Sequence, residues 1–145
     1  MPNLLTDPAE RSALMALIRS KNTKPELIVF AELRARRISF RVHYERAPGK
    51  PDIARPRKKL AVFIDGDFWH GRELSRVVEK HGEDGHWTVK LRRNVARDLE
   101  QVAMLEEAGW LVLRVWESDI TRVRTRAQTM EVIGTFLRSR DDAPK

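Results

Sequence analysis

The chain has 145 residues, of which 41% are hydrophobic and 34% are charged, and it contains no cysteine. This length suits one domain with a sizeable core, and the lack of cysteine excludes disulfides and thiolate metal sites. The 28 lysines and arginines against 21 acids give a formal charge of +7, which favours nucleic acid as a partner first and an anionic membrane surface second. No apolar segment is long enough for a membrane span and no signal peptide opens the chain, so we expect a cytoplasmic protein.

The first part of the chain predicts two helices, each with a recognisable start. Asp7 can cap the first helix, Pro8 fits its first position, and residues 14–18 supply its apolar face. Thr23-Lys24-Pro25-Glu26 opens the second helix as a capping box, in which Glu26 can bond back to the Thr23 N–H. One stripe of this second helix is expected to carry Leu27, Phe30, Ala31 and Arg34.

Three strands are predicted next. Residues 38–44 alternate apolar and polar side chains, which is typical of a half-exposed strand. A second strand covers about 52–54, and a third, 60–65, is a continuous apolar run of the kind that is buried on both faces. The turn that joins these two strands, 55–59, is almost wholly basic.

The second half of the chain predicts helix, strand and helix in turn. A polar loop over 71–86, with a short helix at 74–80, leads to a long helix from Trp87 to about Ala108, which Gly109 is placed to end. A buried strand at 110–116 and a helix at about 121–139 follow. The apolar faces of the two helices are expected to be Leu91, Val95, Leu99, Val102 and Leu105, and then Val123, Ala127, Met130, Ile133 and Leu137. This order predicts an α/β fold with a mixed sheet that has helices packed on its faces.

Candidate chemistry lies where the second strand begins and the third strand ends. Asp52 and Asp65 are predicted on neighbouring strands. Because hydrogen-bonded strands lie about 5 Å apart, the two side chains can share a hard cation such as Mg²⁺ if the register allows, and this cation would polarise a phosphodiester and activate water. His70 could take a proton from that water near neutral pH. The alternatives are a hairpin whose aspartates only cap turns, a structural His70, and a Glu26 that only caps its helix.

Aromatic and basic residues surround these acids. Phe68 and Trp69 are adjacent, so on an extended chain one of them would be exposed and could stack on DNA bases, although a core role is the alternative. The run Lys90-Leu91-Arg92-Arg93-Asn94, with Arg97 one turn later, places cations near a helix N-terminus, where the helix dipole disfavours them. Phosphate contact explains this run better than a solvated face does.

Taken together, these motifs resemble the very short patch repair (Vsr) endonucleases. The resemblance covers about residues 11–120 and rests above all on the Asp-Gly-x-Phe-Trp-His string at 65–70. The other matching segments are 23–26, 40–42, 48–52, 62–66, Asn94 with Arg97-Asp98, 109–110 and 115–117. It implies a single restriction-endonuclease-like domain over residues 1–145, with a mixed central β-sheet flanked by helices. It also implies an enzyme that nicks one strand of duplex DNA beside a T:G mismatch.

The resemblance also implies roles for individual residues. Asp52, the Ile64 carbonyl and Asp65 would hold Mg²⁺, His70 would assist water activation, and Glu26 would lie near the scissile phosphate. Phe68, Trp69 and Trp87 would wedge into the DNA beside the mismatch. Together with these aromatics, the residues expected to contact DNA are Lys90, Arg92, Arg93, Asn94 and Arg97.

One departure from the family concerns its structural zinc. In place of the usual cysteine and histidine ligands this chain has Asp67, Arg72, Leu74 and Ser118. We therefore expect no structural zinc, and we expect a loop cation such as Arg72 to pair with Asp67, Asp98 or Glu117 in its place.

The sequence thus predicts a Mg²⁺-dependent DNA mismatch endonuclease. We expect a nucleoid-associated monomer that acts on mismatched double-stranded DNA, with mismatch-repair proteins as further partners and no membrane. Two alternatives stay open at this point. One is a restriction-like nuclease that cuts without a mismatch, and the other is a DNA-binding module whose active site has decayed.

Overall fold

The computed structural model describes residues 21–140, so the helix predicted to begin near Asp7 lies outside the described residues. Within them, four strands form one sheet in the order β1 (Arg41–Val42), β2 (Ile53–Arg55), β3 (Leu60–Asp65) and β4 (Leu111–Trp116). The first three strands pair antiparallel, whereas β3 and β4 are parallel. The predicted α/β class with a mixed sheet is confirmed.

Helices cover both faces of this sheet. Across residues 21–140 they are α1 (Lys24–Ala35), α2 (Leu74–His81), α3 (His86–Glu107), α4 (Glu117–Thr121) and α5 (Val123–Leu137), with a 3₁₀ turn at Pro56–Lys58 inside the basic connection. Helix α3 makes the crossover that two parallel strands require. The short helix α4 was not predicted, because it has only five residues, which is too few for a helical pattern to show in the sequence.

Strand β3 is the centre of the core, and all six of its residues are buried. Since successive side chains of a strand point to opposite faces, Leu60, Val62 and Ile64 pack with α1, α4 and α5 on one side of the sheet. On the other side Ala61 and Phe63 pack with Leu105 of α3. Asp65 follows in this second series, so its carboxylate belongs to the face that α3 covers.

The buried face of α1 differs from the predicted stripe by one residue. Glu26, Val29, Phe30 and Leu33 are buried, whereas Leu27 is 51% exposed. One residue is about 100° of rotation, and the packing of α1 against α4 and α5 selects the observed face. The capping box itself is present, and the Thr23 N–H donates to Glu26 Oε1 over 3.1 Å.

Helix α3 ends where the sequence predicts, but it buries a narrower face. Gly109 has a φ of +90°, and the N–H of Trp110 donates to the carbonyl of Leu105, which together close the helix in a glycine cap. Leu91 and Leu105 are fully buried, whereas Leu99 is 67% exposed and its predicted core position is wrong. Asp98, one residue earlier, lies on the buried stripe instead.

Three further expectations are corrected at the periphery of the fold. The strand predicted over 38–44 contains only the two exposed residues of β1. Strand β4, predicted as buried, is half-buried because it is the last strand of the sheet in the described part of the chain. In α5, Met130, Ile133 and Leu137 are buried as predicted, whereas Val123 and Ala127 are exposed. No helix among residues 21–140 combines the length and apolar character that crossing a bilayer requires.

Candidate active site

A cleft of about 490 Å³ opens where Asp52 and the ends of β3 and β4 meet the first turn of α1 and the middle of α3. Many of the residues singled out from the sequence line it, namely Glu26, Asp52, Ile64, Asp65, Trp69, His70, Asn94 and Arg97. The other predicted residues, Phe68, Trp87, Lys90, Arg92 and Arg93, lie outside its lining. The carboxyl ends of parallel strands meet at one edge of a sheet, which is why distant segments converge here.

Asp52 lies directly before β2 and faces the end of β3. Its Oδ2 accepts a hydrogen bond from the N–H of Ile64 over 2.7 Å. Burial raises the pKa of Asp52 to about 8, and the neighbouring carboxylates of Glu26 and Asp65 add to the rise, against a lowering by the Ile64 N–H. Removing this carboxylate from water therefore favours its protonated form unless a cation is bound beside it.

Glu26 caps α1 and lines the cleft at the same time. Its Oε1 accepts the Thr23 N–H and lies 3.8 Å from Nε2 of His43. Glu26, His43 and Asp52 each offer a ligand atom, and these atoms all lie within 4.8 Å of one another. Capping of α1 is thus compatible with a role of Glu26 in the cleft, because the capping bond holds the carboxylate there.

Asp65 is buried and bound to an arginine that the sequence analysis did not single out. Nε and Nη2 of Arg114 donate to its two carboxylate oxygens over 2.7 and 2.8 Å. Asp65 lies outside the group that Glu26, His43 and Asp52 form. Its predicted share in metal binding therefore stays a prediction, while its partnership with Arg114 is a feature of the structure.

His70 is held by an acid on α3. Its Nδ1 lies 2.5 Å from Oδ2 of Asp98, and Asp65 Oδ1 is farther away at 3.7 Å. Asp98 is 9% exposed, so this hydrogen bond is shielded from water. The arrangement fixes the ring of His70 and leaves its Nε2 for another partner.

Acids outnumber cations around the cleft. Glu117 also lines it, and burial raises the pKa of Glu117, with the charges of Asp67 and Glu26 acting in the same direction. A surplus of carboxylates on a phosphodiesterase surface would repel DNA unless a metal ion neutralised it. The electrostatics of the cleft therefore suit a bound divalent cation.

Three aromatic rings form a cluster beside this cleft. The ring centroids of Phe68, Trp69 and Trp87 lie 5.3–6.2 Å apart in edge-to-face arrangements. Nζ of Lys90 lies 5.1 Å from the Trp69 ring and 5.8 Å from the Trp87 ring. All three aromatics are half-buried, so part of each ring is exposed beside the cleft, and none of them is a member of the two hydrophobic core clusters.

The polar residues of α3 serve partly local purposes. Asn94 donates to the carbonyl of Trp69 over 3.1 Å, and Arg97 donates to Asn94. Arg92 pairs with Glu83 in the preceding loop at 2.9 Å. Arg93 is exposed on the same helix. These contacts join α3 to the segment that carries the aromatic cluster, and the predicted DNA contacts of these residues stay predictions.

Further positive charge lies at the opposite end of β2. The basic connection after β2 lines a separate cavity of about 610 Å³ together with Arg41 and Arg46. Arg55 in this connection donates to the carbonyl of Leu137, so at least one of these cations ties the sheet to α5. Part of the net charge of the protein thus lies away from the cleft.

Three residues at positions where the resemblance implies zinc ligands form, with Asp119, a polar network that we call the clasp; they are Asp67, Arg72 and Ser118. Asp67 accepts bonds from the N–H and hydroxyl of Ser118, and Arg72 donates to Asp67 over 3.1 Å and to Ser118 over 2.7 Å. Arg72 also lies 3.4 Å from Asp119. The predicted pairing of Arg72 with Asp67 is confirmed. The positively charged guanidinium of Arg72 stands among the oxygens of this network, so the network does not fit a zinc ion.

Three residues near the cleft were not assigned a role from the sequence. Asp98 appeared only as part of a motif, yet an acid seven residues from Leu91 and from Leu105 lies on the buried stripe of α3. Arg114 is the single charge in the strand Leu-Val-Leu-Arg-Val-Trp, which is a signal for a buried partner. His43 has a φ of 46°, and no sequence pattern indicates that such a residue turns towards Glu26.

Comparison with known proteins finds one matching family model and several similar relatives. Residues 5–76 match the family model described as DNA mismatch endonuclease Vsr. The type II nicking enzyme V.NmeDIP of Neisseria meningitidis is 38% identical over 119 residues, which cover 81% of this chain and 80% of that protein. The type II nicking enzyme V.XorIIP of Xanthomonas oryzae is 37% identical, with 79% of this chain and 84% of that protein covered.

The comparison extends to the DNA mismatch endonuclease Vsr of Escherichia coli. It is 32% identical over 111 residues, which cover 77% of this chain and 71% of that protein. The matched family segment contains Glu26, Asp52, Asp65 and His70, which converge in the cleft. The chain therefore belongs to the Vsr family of DNA endonucleases.

Proposed function

We propose that this protein is a Mg²⁺-dependent endonuclease that nicks one strand of duplex DNA at or beside a T:G mismatch. The observation that carries the proposal is a single cleft in which Asp52 and Glu26 lie near the His70–Asp98 pair and beside the aromatic cluster. The printed descriptions of the relatives, as nicking enzymes and as a mismatch endonuclease, support the same activity.

The donors in the cleft fit a hard divalent cation. Glu26 and Asp52 supply carboxylate oxygens, which are the ligands that Mg²⁺ prefers, and His43 lies within the same group. Asp52 with the Ile64 carbonyl, joined by Asp65, would hold the ion. When bound, Mg²⁺ supplies polarisation of the phosphate and a lower pKa for coordinated water.

His70 is suited to receive a proton. Because its Nδ1 is directed at Asp98, the ring carries its proton on Nδ1 and has Nε2 as the basic nitrogen. Asp98 then orients the ring and stabilises the imidazolium that forms when Nε2 takes a proton from the attacking water. Asp98 acts through His70 in this scheme and does not touch the phosphate.

The aromatic cluster is the proposed element for engaging the mismatch. Inserting apolar rings between base steps costs unstacking energy, and a mismatched pair lowers that cost. Phe68, Trp69 and Trp87 stand together beside the cleft, so an inserted ring would place a nearby phosphodiester at Asp52. Lys90, Arg92, Arg93, Asn94 and Arg97 would hold the flanking phosphates.

A nicking assay on matched duplexes tests the proposal. Three duplex pools with the same randomised flanks would differ only at one fixed position, which holds a T:G, a C:G or a 5-methylcytosine:G pair. Each strand would be labelled separately, and each pool would be tested with Mg²⁺ or with chelator. We expect nicking of one strand of the T:G duplex with Mg²⁺ alone.

The other outcomes identify the alternatives. Equal cutting of the paired duplexes would assign a restriction-like nuclease, and tight binding without cleavage under any metal would assign a decayed site. The Asp52→Asn variant controls for contaminating nuclease, and Asp84→Asn, which changes an exposed acid outside the cleft, controls for charge.

A further inference from the structure

Arg114 lies between the two acids that surround His70. In the parallel register it stands opposite Phe63, and its guanidinium lies 4.3 Å from the Phe63 ring centroid. From there it extends to Asp65, which accepts two charge-assisted bonds from it. Its Nη2 is also 3.5 Å from Oδ1 of Asp98. One guanidinium therefore bridges two buried carboxylates that come from different elements.

These contacts decide which acid binds the histidine. Asp65 Oδ1 is 3.7 Å from Nδ1 of His70, so Asp65 is close enough to compete with Asp98 for the ring. Arg114 occupies both oxygens of Asp65 and contacts only Oδ1 of Asp98. Oδ2 of Asp98 is therefore the acceptor left for the imidazole, which is the contact observed.

In the described part of the chain, the guanidinium leaves one of its three nitrogens without a partner, although Nε and Nη2 both donate to Asp65. Its Nη1 is buried, and no hydrogen-bond partner for it exists among residues 21–140. A purely structural arginine usually has its buried donors paired. The position of Arg114 is set instead by the two carboxylates, and a lysine could not reproduce the bidentate contact with Asp65 while it also touches Asp98.

We propose that Arg114 is a positioning residue, which holds Asp65 away from His70 and directs Asp98 onto Nδ1 so that Nε2 faces the reacting phosphate. The proposal rests on the proposed function for the identity of the reaction. The ring orientation that it assigns does not depend on that reaction, so the two can fail separately.

The experiment compares Arg114→Gln and Arg114→Lys with the unaltered protein. NMR of ¹⁵N-histidine-labelled protein would report the Nδ1–H resonance of His70, assigned with His70→Ala, whose chemical shift depends on the carboxylate that accepts this proton. Multiple-turnover nicking of T:G duplex would report kcat and the KM for DNA. We expect the Nδ1–H resonance to shift in both variants, because Asp65, once released from Arg114, competes with Asp98 for this proton. We also expect kcat to fall about 10- to 100-fold with KM nearly unchanged.

Arg126→Gln is the matched control. Arg126 is also half-buried, and it donates to the carbonyls of Ile120 and Thr121, none of these three residues being part of the cleft lining. This variant should change neither the His70 signature nor kcat per folded molecule. If Arg114→Gln is too unstable to study, Arg114→Lys keeps the charge and still tests the bidentate contact.

An unchanged Nδ1–H resonance of His70 in a folded Arg114 variant would overturn the proposal, and so would a loss of nicking that only follows the folded fraction. If the unaltered protein nicks no duplex, the proposed function fails, while the NMR comparison still decides the role of Arg114.

Discussion

The cleft and the clasp lie at the same edge of the sheet, yet their carboxylates have opposite surroundings. In the clasp, Asp67 accepts two bonds from Ser118 and one from Arg72. In the cleft, Asp52 accepts one bond from Ile64 and has the carboxylates of Glu26 and Asp65 as neighbours. Paired carboxylates stabilise a fold, whereas crowded and desolvated ones destabilise it until a ligand neutralises them. The difference suits the clasp to a structural role and the cleft to the cation that we propose.

The largest expected effect is that of Asp52→Asn on nicking. Loss of the cation ligand should remove several kcal/mol of transition-state stabilisation, which is about a thousandfold in rate. The asparagine oxygen can still accept the Ile64 N–H, so DNA binding should be retained. Single-turnover nicking and a binding titration check this, and near-normal cleavage would remove Asp52 from the catalytic role.

Asp52→Asn also tests how the buried Asp52 carboxylate affects the stability of the fold. In the folded protein Asp52 has a pKa of about 8, whereas an unfolded aspartate has a pKa of about 3.9. Between these values the folded state holds a proton that the unfolded state has lost, so rising pH lowers the free energy of unfolding. Metal-free Asp52→Asn should therefore melt higher than the unaltered protein at pH 7.5 and match it at pH 4. A lower melting temperature of this variant at pH 7.5 would contradict the assignment.

His70→Ala should reduce nicking about a hundredfold or more, because general base catalysis contributes about that much. His81→Ala is the matched control, since His81 is exposed at the end of α2. Single-turnover rates with saturating Mg²⁺ are the measurement. A loss of only a few-fold would return His70 to a structural role.

The aromatic cluster should affect binding more than folding. Trp69→Ala should weaken affinity for the mismatched duplex by about 1–3 kcal/mol, the usual loss for one stacked ring, with little change in melting temperature. Trp110→Ala is the matched control, because Trp110 packs against the core and lies 6.0 Å from Tyr44. That variant should lower the melting temperature without changing the affinity per folded molecule. If Trp69→Ala unfolds the protein, the ring belongs to the core.

The clasp should affect folding more than DNA binding, and its effect should be the smallest of those predicted. Asp67→Ala should lower the free energy of unfolding by about 1–2 kcal/mol, since it leaves the N–H and hydroxyl of Ser118 without their acceptor and removes one of the partners of Arg72. Arg76→Ala, which removes a more exposed ion pair with Glu73, should change it by less than about 0.5 kcal/mol. Urea unfolding of both variants without metal is the measurement, and equal effects would make the clasp no more than a surface ion pair.

Zinc removal gives a second test of the clasp. Because Arg72 occupies the centre of this network, protein purified without added metal should contain less than one zinc per chain by elemental analysis. A strong chelator should leave the melting temperature of this metal-free protein unchanged, and it should stop nicking by removing the Mg²⁺ that the assay supplies. One tightly bound zinc per chain would contradict this expectation.

Local features were predictable from the sequence because they depend on neighbours in the chain. The capping box at 23–26, strand β3 and the glycine end of α3 are all present. Faces and depths were less predictable, as Leu27 and Leu99 show, because the side of a helix that is buried depends on the elements packed against it. An apolar residue near the border of a stripe is buried or exposed according to its tertiary neighbours.

The same distinction between local features and tertiary packing applies to the site. The sequence by itself determined that Glu26, Asp52, Asp65 and His70 stand at the starts and ends of elements, where side chains are free for chemistry, and their spacing identified the family. Only the tertiary structure decided their partners: Asp98 for His70, Arg114 for Asp65 and His43 beside Glu26. These contacts join residues 17 to 49 positions apart, and they depend on strand register and helix rotation. No local pattern encodes either, because both result from packing the whole core.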